Sequence, residues 1–315
     1  MKPFIVVADG FDSDLFNTLQ TMDEFTVHPK AKSSQGEIQE LAPEIEGLVI
    51  RSATTVTPEF LARCPKLKYV IRAGEGTDNI DKAACRAKDV RVSNTPGANN
   101  NSAAEHAIAL MMTTLRKTAA AHASMQAGKW EKAKFTGNEL THKTVGIVGF
   151  GRIGQIVAKR ISGFEPQVLF YDPFVNRDQF PNYEKIDALA ELFKRSDIIT
   201  LHVPLIPATK NSINKALLSL MKPSAILVNC ARGGIVNEDD LLATLKEQKI
   251  RGAAFDVFAN EPLPTDSPLL TLENLVLTPH LGASTEEAQV RVGEMVIHQL
   301  KEFFVNKNLM NEVKA

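Results

Sequence analysis

The chain has few cysteines and an odd number of them. Its 315 residues include three, Cys64, Cys85 and Cys230, which are far apart and lack the spacing of metal ligands. Such a set does not form a disulfide framework, so we expect reduced thiols, a cytoplasmic location and no metal site.

The chain also lacks an excess of charge of either sign. Lys and Arg total 36 and Asp and Glu total 37, which gives a formal net charge of −1. No overall field therefore favours nucleic acid or an anionic membrane as a partner. The apolar start is interrupted by Asp9, Asp12 and Asp14, which favours a first strand over a signal sequence. No apolar run is long enough to cross a bilayer.

Short apolar runs alternate with helical patterns along the whole chain, which is typical of parallel α/β sheets. The length allows two domains, each with its own core. Two sets of strands are predicted, at residues 4–8, 25–28, 48–51, 69–72 and 91–93, and at residues 144–149, 168–171, 198–202, 225–229, 252–256 and 275–277. A long helix is predicted between the sets, at about 102–128, and an amphipathic helix at about 285–304.

A glycine-rich turn follows the first strand of the second set. It consists of Gly149, Phe150, Gly151, Arg152, Ile153 and Gly154, and Asp172 ends the next strand 18 positions later. The first glycine permits a tight turn, the second lets the backbone approach a pyrophosphate and the third lets the helix pack on the strand. The acid can hold both ribose hydroxyls and repels a 2′-phosphate. This order predicts an NAD site.

Polar residues follow the ends of many predicted strands, where ligands bind in open α/β sheets. They are Arg51, Arg72, Asp172, His202, Arg232, Asp256 and His280. Three side chains in this part of the chain suit the oxidation of a secondary alcohol. They are the imidazole of His280, the carboxylate of Glu261 and the guanidinium of Arg232. The imidazole can take the hydroxyl proton, the carboxylate can orient the ring, and the guanidinium can bind a substrate carboxylate. Taken singly, each of these side chains also has a structural explanation, such as a helix cap or a loop contact.

Three segments carry a family resemblance over essentially the whole chain. They are Asn229 to Val236, Asp256 to Pro262 and Pro279 to Thr285, and with the glycine turn they resemble the D-isomer-specific 2-hydroxyacid dehydrogenases. The resemblance implies two doubly wound α/β domains, a Rossmann NAD domain at 99–283 inserted into a flavodoxin-like substrate domain at 1–98 and 284–315. It also implies a homodimer formed through the long central helix.

The resemblance assigns roles residue by residue. His280 is the implied acid/base, Glu261 its partner and Arg232 the group that orients the substrate. The implied cofactor contacts are Gly149, Gly151, Arg152, Ile153, Gly154, Asp172, Val203, Pro204, Cys230, Ala231, Arg232, Asp256, His280 and Gly282.

Within the family, the chain is most similar to members that oxidise 3-phospho-D-glycerate to 3-phosphooxypyruvate in serine biosynthesis. The matching runs imply a substrate site formed by Arg51, Arg72, Gly74, Glu75, Gly76 and Asn99. The backbone N–H groups at 74–76 would bind the carboxylate, and the two arginines the phosphate. Glu75 stands where a small or hydroxyl residue is usual, and Val203 replaces a common threonine. The chain ends after one final helix, so we expect no serine-binding regulatory domain.

Other functions remain open at this point. A glyoxylate or hydroxypyruvate reductase would use the same catalytic set but would not need two strand-end arginines. A non-catalytic NAD(H) sensor predicts an apolar peptide groove and no turnover, and the Arg–Glu–His set argues against it. A methyltransferase would explain the glycine turn and the acid but not the other segments.

Overall fold

The computed structural model describes residues 1–314. The chain divides into two compact units, which we call unit 1 and unit 2. Unit 1 comprises Met1–Asn99 with the chain from Ala283 onward, and unit 2 comprises Asn100–Gly282. The sequence prediction had placed the two boundaries after residues 98 and 283.

The N-terminal part of unit 1 alternates strands with short helices. The elements are β1 (Phe4–Val7), α1 (Ser13–Thr21), β2 (Thr26–Val27), α2 (Gln35–Leu41), β3 (Gly47–Ile50), α3 (Pro58–Arg63), β4 (Tyr69–Arg72), α4 (Lys82–Ala87) and β5 (Arg91–Asn94). The strands pair in parallel in the order β2-β1-β3-β4-β5. This is the flavodoxin-like order.

Both faces of the unit 1 sheet are buried. Alternate residues of each strand point to opposite faces and therefore join different apolar clusters. Leu48 and Ile50 of β3 join one apolar cluster, whereas Val49 joins the other. Near-continuous apolar strands are what a parallel sheet covered by helices on both faces requires.

Unit 2 begins with two helices and continues as a second α/β sheet. Its elements are α5 (Asn100–Arg116), α6 (Thr118–Gln126), β6 (Thr144–Val148), α7 (Arg152–Ile161), β7 (Gln167–Tyr171), β8 (Glu184–Lys185), α8 (Leu189–Arg195), β9 (Ile198–Leu201), α9 (Lys215–Leu218), β10 (Ile226–Asn229), α10 (Glu238–Lys246), β11 (Gly252–Phe255) and β12 (Leu275–Leu277). All pairs are parallel, in the order β12-β11-β10-β9-β6-β7-β8. Starting from β6, the order reverses at the β6–β9 pair, as in Rossmann folds. The predicted α/β fold class is confirmed.

Two details of unit 2 differ from the sequence prediction. The predicted helix at 102–128 is two helices, because Lys117 adopts a left-handed conformation, with φ of 53°, between α5 and α6. The strand β8 was not predicted at all. In α5, Ala104, Ala107 and Met111 are fully buried in the core, so this stripe packs within unit 2.

The last helix, α11 (Glu286–Phe304), packs against the N-terminal part of unit 1. The Thr285 side chain caps it by accepting the N–H of Ala288. Its buried residues Val292, Val296 and Leu300 join the cluster that includes Ile5. Beyond the helix, the chain runs antiparallel to β5 at residues 312–313. Among the described residues, no helix is both long and apolar enough to span a membrane.

Candidate active site

The glycine turn of unit 2 joins β6 to α7. Gly149 has φ of +90°, and a Cβ there would lie 2.4 Å from the backbone oxygen of His202. A Cβ at Gly154 would lie 2.3 Å from the oxygen of Gly149, so both positions require glycine. A Cβ at Gly151 would meet nothing within 4 Å, and no side chain caps α7. The turn therefore presents backbone and a helix N-terminus to open space, which suits the binding of a pyrophosphate.

Asp172 follows β7 and holds this turn. Its Oδ2 accepts the N–H of Phe150 at 2.8 Å, and its Oδ1 accepts the N–H of Phe174 at 2.8 Å. Each carboxylate oxygen has a second lone pair, so both can still accept a hydroxyl of a ribose. Val203 also borders the turn, since its Cγ1 would lie 2.8 Å from a Cβ on Gly149. The arrangement fits an adenosine ribose without a 2′-phosphate.

His280 and Glu261 form a hydrogen-bonded pair in unit 2. Nδ1 of His280 lies 2.6 Å from Oε2 of Glu261, and Oε1 of Glu261 accepts the N–H of Phe258 at 2.9 Å. Burial raises the pKa of Glu261, but the bonds from His280 and Phe258 outweigh it and hold this pKa below the usual value. The carboxylate is therefore ionised near neutral pH, and Nε2 is left as the ring atom directed away from it.

Asp256 organises the loop that carries His280. Its side chain is fully buried, and Oδ1 accepts the hydroxyl of Thr278 at 2.6 Å and the N–H of Leu281 at 2.7 Å. Oδ2 accepts the N–H of Gly282 at 2.8 Å. Nε2 of His106, on α5, lies 3.1 Å from Oδ1. Burial raises the pKa of Asp256, but these bonds outweigh it, so the pKa is below its ordinary value.

His280 itself has an unusual backbone conformation. Its φ is 55°, in the left-handed region that few residues other than glycine adopt. The backbone oxygen of Asp256 accepts its N–H at 2.9 Å. Such a conformation persists only where the surroundings fix it. The bonds to Asp256 therefore set the direction in which the imidazole leaves the chain.

Arg232 lies in a turn after β10 that contacts the same region. The Asn229 side chain accepts the N–H of Ala231 at 3.1 Å and donates to the oxygen of Arg232 at 3.0 Å. A Cβ at Gly233 would lie 1.7 Å from the backbone oxygen of Phe258, so only glycine lets the two loops touch. This contact brings the Arg232 turn against the loop in which the N–H of Phe258 donates to Glu261.

Cys230 and His202 are half-buried titratable side chains of unit 2. Burial and the charge of Asp256 raise the pKa of the Cys230 thiol, which is therefore not a nucleophile near neutral pH. Burial lowers the pKa of His202 to about 4. Its Nε2 lies 2.9 Å from the hydroxyl of Thr200. Both groups are neutral under ordinary conditions.

The predicted substrate residues lie in unit 1. Arg72 ends β4 and pairs in register with Ile50, the residue before Arg51, so the two arginines follow neighbouring strands. Burial lowers the pKa of Arg51, which the charge of Asp9 partly offsets. Nη1 of Arg72 donates to the oxygen of Ala73 at 3.2 Å.

Arg72 also lies against the predicted carboxylate-binding turn. Gly74 has φ of +147°, and a Cβ there would lie 1.4 Å from Nη1 of Arg72. The guanidinium therefore occupies the space beside Gly74 that any other residue would fill. Asn99 is half-buried at the end of the N-terminal part of unit 1.

Two side chains that the sequence prediction missed fix the loop after β3. The Asp9 carboxylate accepts the N–H groups of Arg51 and Thr54, at 2.6 and 2.9 Å, and the hydroxyl of Thr54 at 2.5 Å. Nδ2 of Asn79 donates to the oxygens of Arg51 and Thr54, at 2.7 and 2.6 Å. Asp9 directly follows the first predicted strand, at residues 4–8, and that position was the available signal.

His106 was also missed, because its partners lie 150 or more positions along the chain. The structure thus brings together the predicted catalytic residues Glu261 and His280 within unit 2, and Arg51, Arg72 and the 74–76 turn within unit 1.

A comparison with protein families decides the relationship. Residues 108–282 match the family described as D-isomer specific 2-hydroxyacid dehydrogenase, NAD binding domain. The chain belongs to the D-isomer-specific 2-hydroxyacid dehydrogenase family. Unit 2 thus contains the NAD-binding domain of this family.

Family members of known name resemble this chain along most of its length. D-3-phosphoglycerate dehydrogenase of Methanocaldococcus jannaschii is 44% identical over 299 residues, which cover 94% of this chain and 56% of that protein. Hydroxypyruvate reductase of Thermotoga maritima is 42% identical over 297 residues, which cover 93% of this chain and 96% of that one. The chain therefore spans just over half the length of the first relative.

Solved structures share the fold. NAD-dependent formate dehydrogenase from Staphylococcus aureus, in complex with NAD, is 31% identical, with a TM-score of 0.88 and coverage of 100% of this chain and 99% of that one. The proteins similar to this chain thus carry the names of a phosphoglycerate dehydrogenase, a hydroxypyruvate reductase and a formate dehydrogenase.

Proposed function

We propose that the protein oxidises 3-phospho-D-glycerate with NAD, or reduces 3-phosphooxypyruvate with NADH, as a step of serine biosynthesis. The observation that carries the proposal is the pair formed by His280 and Glu261, 2.6 Å apart, in the unit that contains the family's NAD-binding domain. An imidazole oriented by an ionised carboxylate is the group that hydroxyl oxidation requires.

His280 takes the hydroxyl proton on Nε2 during oxidation and returns it during reduction. The charge of Glu261 stabilises the protonated ring through Nδ1. Arg232 binds the substrate carboxylate and stabilises charge on the reacting oxygen. Bound NAD supplies the hydride acceptor. Because Asp256 fixes the backbone at residues 280–282, the imidazole is held in one direction before substrate binds.

The cofactor would be held by the glycine turn and by residues at the ends of neighbouring strands. Gly151 and the N-terminus of α7 would bind the pyrophosphate, and Asp172 the adenosine ribose. The other proposed contacts are Gly149, Arg152, Ile153, Gly154, Val203, Pro204, Cys230, Ala231, Asp256 and Gly282.

The substrate would bind to unit 1 through its two acidic ends. The N–H groups of the 74–76 turn would take the carboxylate, and Asn99 would border it. Arg51 and Arg72, on neighbouring strands, would take the phosphate. A relative named as a D-3-phosphoglycerate dehydrogenase, 44% identical, supports this substrate.

Reduction of hydroxypyruvate or glyoxylate is the second candidate, and three observations favour it. The Arg72 guanidinium lies beside Gly74, so it can serve the carboxylate turn rather than a distant phosphate. Glu75 also puts a negative charge next to an anion site. A relative that is matched over 96% of its own length is named as a hydroxypyruvate reductase.

A panel of substrates separates these functions. The purified protein is mixed with NAD and 3-phosphoglycerate or D-lactate, and with NADH and 3-phosphooxypyruvate, hydroxypyruvate or glyoxylate, while absorbance of NADH is followed. We expect the highest kcat/KM with 3-phosphoglycerate or its keto product. A preference for hydroxypyruvate would select the second candidate, and NADH binding without turnover of any acid would indicate a sensor.

We also propose that the protein is a cytoplasmic homodimer. No residue of α6 is buried, and Met125 and Trp130 are 54% and 82% exposed. A helix so rich in alanine with an exposed tryptophan after it suits contact with a second copy. Light scattering should give twice the chain mass, and Trp130→Glu should lower it to one chain mass if this surface forms the dimer.

A further inference from the structure

A glutamine lies on the apolar face of α11. Gln299 is fully buried between Val296 and Leu300, which are also fully buried. A primary amide is costly to bury unless both its oxygen and its nitrogen are hydrogen-bonded. The partners of Gln299 therefore indicate why a polar residue occupies this position.

The amide of Gln299 bridges two strands of unit 1. Its Oε1 accepts the hydroxyl of Tyr69 at 3.2 Å, and its Nε2 donates to the backbone oxygen of Asn94 at 3.0 Å. Burial raises the pKa of Tyr69 to about 12, so the phenol keeps its proton and acts as donor. The Asn94 carbonyl can only accept, so the amide nitrogen must face it and the amide oxygen is left to face Tyr69.

Asn94 continues the connection to the substrate turn. Its Nδ2 donates to the oxygen of Glu75 at 2.6 Å, and the N–H of Thr95 donates to the oxygen of Gly74 at 3.1 Å. The end of β5 thus holds two successive carbonyl groups of the turn.

The direction of these carbonyls sets the direction of the neighbouring N–H groups. In a trans peptide the C=O and the following N–H point in opposite directions, and the only cis bond among the described residues is Glu261–Pro262. The N–H groups of Glu75 and Gly76 therefore point away from β5. They form two adjacent donors of the kind that binds an anion.

We infer that Gln299 is a positioning residue for the substrate carboxylate, acting through Asn94 on the turn at residues 74–76. This inference rests on the proposed function, in which that turn binds the acid. The buried amide fixes the backbone of Asn94, and the Asn94 side chain in turn fixes the peptide of Glu75. The last helix thereby determines how well the turn binds an acid, although Gln299 does not contact it.

The test uses Gln299→Met, which keeps the length of the side chain but removes both hydrogen bonds. We expect KM for the keto acid to rise about five- to tenfold, as for one lost hydrogen bond, with kcat within about twofold of the original. The Kd of NADH, measured by fluorescence, should not change. Val296→Ala is the matched control, because Val296 lies on the same face of α11 in an apolar cluster that includes no residue of β5, and KM should stay unchanged at a similar loss of thermal stability.

A double-mutant cycle distinguishes positioning from general destabilisation. Asn94→Ala should raise KM at least as much as Gln299→Met, and the double variant should equal Asn94→Ala alone, since both changes act on one path. Additive effects, or an equal rise of KM in Val296→Ala, would overturn the inference. If Gln299→Met does not fold, Tyr69→Phe takes its place, with a smaller rise of KM expected and an unchanged KM contradicting the inference. Absence of turnover in the unmodified protein would instead refute the proposed function.

Discussion

Nδ1 of His280 lies 2.6 Å from Oε2 of Glu261, while the backbone of His280 is held at φ of 55° by Asp256. One carboxylate thus orients the ring, and the other orients the chain that carries it. Because separate residues perform the two tasks, their effects on activity can be separated by mutation.

We expect His280→Asn to lower turnover by about two to four orders of magnitude, the usual contribution of a general acid or base. The Kd of NADH should change little, since asparagine keeps a polar side chain of smaller size at an exposed position. Steady-state kinetics and a fluorescence titration check the two parts. His142→Asn, at an exposed position of unit 2 outside α6, is the control. Near-normal turnover of His280→Asn would assign the acid/base role to another residue.

Glu261→Gln should shift the pH profile for reduction. The pKa of Glu261 lies below its usual value, so its charge is present throughout the working range. Glutamine can still accept the N–H of Phe258 but cannot stabilise a proton on the ring. Reduction needs the protonated ring, so its rate should begin to fall at a lower pH, by about one unit or more.

The check on Glu261 is kcat/KM for keto-acid reduction, measured from pH 5 to 9. Glu238→Gln is a matched control, because Glu238 accepts the N–H of Ala259 in the same loop. An unchanged profile for Glu261→Gln, or the same shift in both variants, would contradict the assigned role of Glu261.

Most strands were predictable from the sequence because each is a short apolar run bounded by polar residues. β4 and β12 have the predicted bounds, and the others differ by one or two residues. The break at Lys117 was not predictable, since Arg116, Lys117 and Thr118 include no glycine or proline. β8 consists of Glu184 and Lys185, which have no apolar pattern that could indicate a strand.

The candidate site was predictable only where its residues form a local motif in the sequence. Local motifs indicate the glycine turn and Asp172, because the spacing of these residues is set by one strand and one helix. The side chains that fix the loops are different. Asp9, Asn94 and Gln299 gain their meaning from partners that the fold brings close, such as Asn94 and Gln299, which are 205 positions apart. A single sequence does not contain that information in any local pattern.

His202 should make the fold sensitive to acid. Its pKa falls from 6.5 to about 4 on folding, so between these values the unfolded chain binds more protons than the folded one. Stability should therefore decrease as the pH falls from 6.5 towards 4, by about 1–3 kcal/mol for this half-buried ring. Denaturant unfolding at several pH values measures this decrease in the free energy of unfolding. His202→Gln, which stays neutral, should lose less stability over this range, and an identical loss in both proteins would contradict the prediction.

NADH should be preferred over NADPH because Asp172 would face a 2′-phosphate. Repulsion between such charges costs on the order of 1–4 kcal/mol, which corresponds to a preference of about fivefold or more in kcat/KM. Asp172→Asn keeps an acceptor for the N–H of Phe150 but removes the charge, so the preference should shrink. Asp187→Asn, at an exposed site in the same unit, should leave it unchanged. Equal use of both cofactors by the unmodified protein would contradict the role of Asp172.

The two strand-end arginines should differ in their effects. Arg51 lies in the loop fixed by Asp9 and Asn79, outside the turn at residues 74–76 that would bind the carboxylate. Arg51→Ala should therefore weaken the binding of the substrate's phosphate. A charge-assisted hydrogen bond contributes about 1.5–3 kcal/mol, so kcat/KM for 3-phosphoglycerate should fall about tenfold or more. Activity with hydroxypyruvate should scarcely change.

Arg72→Ala should weaken the use of 3-phosphoglycerate through the lost phosphate contact. It should also weaken the use of hydroxypyruvate, because the Arg72 guanidinium lies beside Gly74 and supports the turn that would bind the carboxylate common to both acids. Kinetics with 3-phosphoglycerate and with hydroxypyruvate, for both variants and for the exposed Arg63→Ala as control, make the comparison. If Arg51→Ala reduced activity equally with both acids, Arg51 would stabilise the loop or bind the carboxylate. The proposal of a phosphorylated substrate would then lose its main physical support, and reduction of an unphosphorylated keto acid would be favoured instead.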